Sequence, residues 1–276
     1  MKAFIAELNN VGLAASTINQ IFNVVKAVIS SATDLNGNEL YPRKWNHDFI
    51  DLPIVNQQEV DAPIVTPEQI DTSLLQAPKQ VRSLLILLAA SGLRVGEALA
   101  LQGHHTTTYG STVPGCGIIP EKIPLGGTYG FSYWNPLKAV VVVKSTLVRG
   151  RIEPQPKTEA GNREVDLHSD VNQYLIDAKL PETGFLFQNS LGGHVRVETA
   201  YDQLEDVGIT EGFHAFRRFR ATHLESQNIP RSLMRYWMGH SSNADITDRY
   251  IKIGQDLTTR KEYALKAGYG FKIPTN

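Results

Sequence analysis

The sequence of 276 residues has one cysteine, Cys116, which excludes an intrachain disulfide and fits a reducing compartment. Long apolar runs are missing too. The most apolar stretches, Ser83 to Ala90 and Ala139 to Val143, fall far short of the roughly 20 residues that cross a bilayer, so no membrane span is expected. The start, MKAFIAELNN, is amphipathic and carries an acid, unlike the basic, apolar and small-residue order of a secretory leader. A cytoplasmic location follows as the expectation. An excess of positive charge is also lacking, since 27 Lys and Arg stand against 28 Asp and Glu. That balance argues against a protein that holds phosphate polymers through its overall charge.

What is present is a globular composition, 42% hydrophobic and 20% charged, enough for one large domain and a small one. The charge is unevenly spread. From Phe213 to Lys252, seven Lys or Arg (217, 218, 220, 231, 235, 249 and 252) face three acids, with three histidines among them.

Ile18, Ile21, Phe22, Val25, Val28 and Ile29 make one apolar helical stripe over Thr17 to Ala32, with Ser16 or Thr17 as the expected N-cap. The ten or so residues before it supply at most one short helix, so residues 1–61 read as a partial helical region too small for an independent core. Asn36 to Ile64, with Asn-Gly and three prolines, reads as a linker or wrapped loop. A larger domain is expected over residues 62–276. It opens at Thr66-Pro67-Glu68-Gln69, a capping threonine followed by proline in the first turn of a helix. VRSLLILLAASGLRVGEALAL is apolar nearly all round and predicts buried helices interrupted at Gly92. Ala139 to Val148 and Glu164 to Leu167 are strand candidates, joined by a polar connection holding Lys157. Short helices are expected from Val171 onward, giving an α+β, mostly helical fold with a small antiparallel sheet. Between Gln102 and Leu137 lies a stretch with seven glycines that reads as an inserted loop.

Five blocks carry the chemistry in order: SGLRVGEALAL, PKTEAGNREVDL, FHAFRRFRATHL, YWMGHSS and DRYIK. Arg217 precedes His240 by 23 residues, and His240 precedes Tyr250 by 10. The set resembles the tyrosine recombinase (phage integrase) family, with Arg94 as the first arginine, Glu97 as its companion acid and Lys157 as the hairpin lysine. His214 and Arg217 match its His-x-x-Arg motif, His240 its Gly-His motif and Tyr250 its nucleophile. The resemblance implies a site-specific recombinase or integrase that breaks and rejoins double-stranded DNA through a 3′-phosphotyrosyl intermediate, as a homo-tetramer on DNA and a monomer when free. It implies Arg218, Arg220 and Arg235 as DNA-facing residues. The family's N-terminal clamp domain is longer than residues 1–61, so a shortened or minimal form with weaker DNA affinity is expected.

Phosphodiester chemistry gives an independent reason for these residue types. The transition state gathers negative charge on the nonbridging oxygens, and two arginines, Arg94 and Arg217, can clamp it. Tyr250 would attack phosphorus and conserve the bond energy as an ester. His214 fits a general base or phosphate donor, Lys157 a general acid for the departing oxygen, His240 a hydrogen-bond donor and Glu97 an orienting acid.

Each residue also has a plainer reading. Arg94 could cap a helix or pair with Glu97, the FRRFR cluster could be a solvated face, His240 a turn residue and Tyr250 a core ring. Lys144 is a rival to Lys157. His104, His105, His168, His194, His214, His223 and His240 show no metal-ligand spacing with flanking acids, and GGTYG at Gly126 lacks the context of a phosphate loop, so no metal and no cofactor is expected. Two alternatives to the recombinase stay open: a catalytically idle DNA-binding relic or accessory protein of the same fold, and a relaxing topoisomerase using the same tyrosine.

Overall fold

A computed structural model describes residues 1–55, 62–103, 107–108, 111–112, 131–153, 161–181, 184–240, 254 and 256–274. The chain divides into two compact units, Met1–Ala62 and Pro63–Asn276.

In the first unit, α1 (Lys2–Asn10), α2 (Ala15–Ser30) and the single turn α3 (His47–Ile50) surround Ile5, Ile18, Phe22 and Ile50, with Trp45 edge-on to Phe22 at 5.5 Å. α3 interrupts the stretch expected to be irregular. Asn46 forms it by accepting from the Phe49 amide through Oδ1 at 3.0 Å. The expected cap of α2 is corrected: the helix starts at Ala15 behind Ala14, which has no side-chain acceptor to offer, so Ser16 and Thr17 lie inside it. The apolar stripe is only partly used. Ile18 and Phe22 are buried, whereas Val28 is exposed, because the described residues of this small unit cover only the first turns of α2.

The second unit holds the large core. Thr66 and Gln69 form a reciprocal capping box, with Thr66 Oγ1 accepting from the Gln69 amide at 3.2 Å and Gln69 Oε1 from the Thr66 amide at 2.8 Å, and Pro67 opens α4 (Pro67–Gln76). In α5 (Lys79–Ser91) every residue from Ser83 to Ser91 is buried, as an all-apolar helix requires. Gly92 ends α5 with φ of +69°, and α6 (Val95–Leu99) restarts behind Arg94.

Two short strands, β1 (Thr107–Thr108) and β2 (Ser111–Thr112), pair within the glycine-rich stretch. β3 (Tyr133–Asn135), β4 (Val140–Val143) and β7 (Arg163–Asp166) form an antiparallel sheet with β4 central, Trp134 opposite Val141 and Val141 opposite Val165. Because Tyr133–Asn135 pairs with β4, the inserted loop is shorter at its C-terminal end than expected. The single strand expected from Ala139 to Val148 is also corrected. It breaks at Lys144-Ser145, where buried Ser132 and Ser145 exchange hydrogen bonds, and a separate hairpin follows, β5 (Thr146–Val148) with β6 (Arg151–Glu153). Among the described residues the remaining elements are α7 (Ser169–Asp177), α8 (Val197–Asp206), α9 (Phe213–Ser226), α10 (Arg231–Met238) and α11 (Leu257–Ala267). Arg260 ties α11 to β7, donating to Asp166 Oδ2 at 2.8 Å and Glu164 Oε2 at 2.6 Å. Among the described residues no helix is long and apolar enough to cross a membrane.

Candidate active site

The turn between α5 and α6 places the first arginine. Glu97, at the third position of α6, reaches back so that Oε2 accepts from the Arg94 amide at 2.9 Å and Oε1 from Arg94 Nη1 at 3.0 Å. Arg94 thus pairs with Glu97, and its side chain remains 43% exposed against 3% for Glu97. Burial alone would raise the Glu97 pKa, but hydrogen bonding and charge from Arg163, with Arg94 behind it, hold the carboxyl below its ordinary value.

Arg217 comes from the buried face of α9 and bridges two turns, donating through Nη1 to the Gly92 carbonyl at 2.7 Å and through Nη2 to the Met238 carbonyl at the end of α10. Burial first, and then the like charge of Arg94, depresses its pKa to about 10, with Glu97 opposing and Arg163 adding to the shift. It stays charged at neutral pH. Gly92 is favoured by its positive φ, and a Cβ there would lie 2.7 Å from Met238 Cε, the movable end of a flexible side chain.

His214, one turn before Arg217 on α9, and His240, just beyond α10, are both exposed. The His214 pKa is lowered by partial desolvation, then by Arg217, Arg218 and Arg94. That of His240 is lowered by desolvation, then by Arg217, Arg94, Arg163 and Arg235. Both imidazoles thus feel Arg94 and Arg217, which brings four expected site residues from three separate sequence blocks into one electrostatic neighbourhood. At neutral pH this gives two fixed cations beside two neutral rings, each ring able to donate or accept one proton. The arrangement suits an anion that gains charge as it reacts.

Lys157 and Tyr250 lie outside the described residues. Of the three arginines expected to face DNA, Arg218 and Arg235 are exposed, with Arg218 Nη1 also donating to the Pro63 carbonyl at 2.9 Å. Arg220 is corrected: it is buried and donates through Nη1 to the Gly268 carbonyl at 2.7 Å, because its position on α9 points it under the C-terminal segment. Three histidines weighed as metal ligands have other partners. His168 accepts from the Asp170 amide at the start of α7, His194 contacts the Val195 carbonyl and His223 the Ala267 carbonyl. Lys144, the rival lysine, sits exposed in the break between β4 and β5.

Arg163 was not singled out from sequence. Its side chain is 0% exposed, and it donates to Glu97 Oε2 at 2.9 Å, Glu97 Oε1 at 3.2 Å, the Gly161 carbonyl at 3.1 Å and the Trp237 carbonyl at 2.7 Å. The available signal was an arginine in a strand that alternates with valine, a charge that folding must bury and pair.

Similar folds have been solved. The Tn1549 transposon integrase in complex with circular intermediate DNA matches with a TM-score of 0.59 at 17% identity, over 95% of this chain and 78% of that one. The XerH site-specific recombinase bound to difH substrate matches at 0.55 and 16% identity, over 95% and 67%. The chain has the tyrosine-recombinase fold. The integrase of mycobacterium phage Brujita agrees at 0.51 and 17% identity, over 99% and 79%. In sequence, transposase B of transposon Tn554 from Staphylococcus aureus strain Mu50 is 21% identical over 280 residues, and that of PsiTn554 from Staphylococcus aureus is 23% identical. The chain spans 39% of the length of these curated relatives, which align with 95% of it. No model of a protein family matches. The recombinase fold is thus the frame in which the four neighbouring candidate residues sit.

Proposed function

We propose that this chain breaks and rejoins DNA as a site-specific recombinase or integrase of a mobile element. The observation that carries the reading is Arg217, which donates to the Gly92 carbonyl in the turn before Arg94 and to the Met238 carbonyl just before His240, so that three of the five blocks meet at one buried guanidinium. The Tyr250 hydroxyl attacks a phosphodiester phosphorus, its proton passing to His214, while the P–O5′ bond breaks and Lys157 protonates the departing oxygen. Arg94, Arg217 and His240 hold the charge on the nonbridging oxygens, so the step asks for no metal ion. A free 5′ hydroxyl reverses it and releases the tyrosine, which makes the exchange independent of ATP. Arg218 and Arg235, exposed beside the site, hold the flanking phosphates. Exchange between two duplexes needs four strand cuts, hence four copies on DNA, and a free chain is monomeric.

The test uses a pool of nicked duplexes with randomised sequence, in which the released fragment is lost and the covalent adduct accumulates. Wild type yields a detergent-resistant protein–DNA adduct, and Tyr250→Phe yields none. Equal adduct from Tyr250→Phe refutes the nucleophile. Duplex binding without adduct from wild type favours an idle DNA-binding protein instead, and loss of supercoils without strand exchange favours a relaxing enzyme.

A further inference from the structure

The buried guanidinium of Arg163 has no part in the chemistry above, yet it joins its own block to two others that carry it, through Glu97 and through Trp237 and Gly239. An α-helix leaves its last four carbonyls without intrahelical partners. At the end of α10 all four are filled. The His240 amide donates to Arg235 O at 3.1 Å and the Gly239 amide to Tyr236 O at 3.0 Å, a Schellman turn with Gly239 at φ of +61°. Arg163 Nε takes Trp237 O at 2.7 Å, and Arg217 Nη2 takes Met238 O. Two buried cations thus close a helix end whose dipole is negative, and His240 is the next residue out.

The same guanidinium packs against the turn itself. A Cβ on Gly239 would lie 2.7 Å from Arg163 Nη1 and 2.8 Å from Cζ, so the planar group fills the space a side chain would take. On its other side Arg163 holds both oxygens of Glu97, the carboxylate that also receives the Arg94 amide and Nη1. A lysine could keep the charge there but not this plane of donors, because an ammonium is a point charge on a flexible stem.

We propose that Arg163 is a positioning residue for the phosphate site, setting Arg94 through Glu97 and His240 through the Trp237 carbonyl and the face of Gly239. The role rests on reading Arg94, Arg217 and His240 as phosphate-binding groups. It differs from a stabilising role in one respect: a folded protein that lacks the fork should bind phosphate poorly.

The experiment titrates inorganic phosphate into the full chain and follows the ring resonances of His214, His240 and His223 by NMR. His223 is held by the Ala267 carbonyl at 2.8 Å and reports on fold alone. Arg163→Lys retains charge without the fork. Arg163→Met combined with Glu97→Gln removes both charges of the buried pair, which keeps the core free of an uncompensated ion. In both variants the His223 signal stays native while phosphate binding read at His240 weakens about tenfold, the scale on which loss of an orienting partner acts. Binding within about twofold of wild type in either folded variant, well short of that scale, overturns the proposal. Loss of the native His223 signal in both assigns Arg163 to stability and overturns it as well. A wild type whose His240 does not respond to phosphate breaks the phosphate reading itself, and Arg94→Ala, expected to lose the response without disturbing His223, checks that reading separately.

Discussion

Residues 1–62 place the ion pair of Lys2 with Asp51, at 2.7 Å, on the surface with side chains 55% and 65% exposed. Residues 63–276 instead sink Glu97 with Arg163, and Asp166 with Arg260, beneath their surface at 0–3% exposure. The contrast follows from core size. A core with four buried side chains among the described residues has little apolar burial to set against desolvating a charge, whereas the larger unit surrounds its ions with a continuous core and satisfies them with several hydrogen bonds each. Arg163 and Arg260 are held there by several hydrogen bonds each. The candidate site is built there, on a layer of paired charges that does not itself face solvent.

The sharpest way to break this comparison is to remove the shared carboxylate. Glu97→Ala leaves Arg163 buried with carbonyl partners alone, and about 3–5 kcal/mol of stability should be lost from the larger unit. Denaturant unfolding checks it, and a loss under about 1 kcal/mol, typical of a surface pair, would show that the layer is not held by charge. A comparable but local effect is expected in the smaller unit. Phe22→Ala removes a ring from a core with four buried residues among those described and costs about 3–5 kcal/mol. Hydrogen exchange should then show α2 losing protection while α5 keeps it; equal loss in both helices would mean that the units do not hold separate cores.

The smallest effect concerns pH. The histidines of the larger unit at 214, 223 and 240 all have pKa values lowered from 6.5, chiefly by burial. The unfolded chain therefore binds more protons just below that value, so their contribution is fully present above it. It declines as pH falls through the window down to their folded pKa values. A modest fall in the Tm of the larger unit between about pH 7.5 and pH 5.5 checks the sign, and a rise would contradict it. Phosphate at the site should pull the His214 and His240 values back up, leaving His223 unmoved.

Local signals were legible where local physics decides. Thr66 with Gln69 and Pro67 marks a helix start in four residues, and Gly92 marks the end of α5, because capping and positive φ depend on immediate neighbours. The spacing of Arg94, His214, Arg217 and His240 was equally readable. Other features were not. Ser16 and Thr17 have the chemistry of a cap, but the turn after α1 brings the chain into α2 two residues early. The kink at Ser145 needs Ser132 thirteen residues away, and β3 needs β4 as its partner. Arg220 and Arg218 lie two residues apart on one helix with opposite fates, one buried under Gly268 and one exposed.

The sequence by itself determined the order and spacing of the candidate phosphate-binding side chains and where the helices around Arg94 and Arg217 start and stop, since helix periodicity, caps and residue chemistry are properties of a few neighbouring positions. Tertiary structure decided which charges face outward and which become scaffold. Arg94 and Arg163 are the same residue on the same carboxylate, yet one keeps a 43% exposed side chain and the other none. That division depends on α5, α6, β7 and α10 packing together, and only their meeting places the Trp237 carbonyl, Gly239 and Glu97 around one guanidinium.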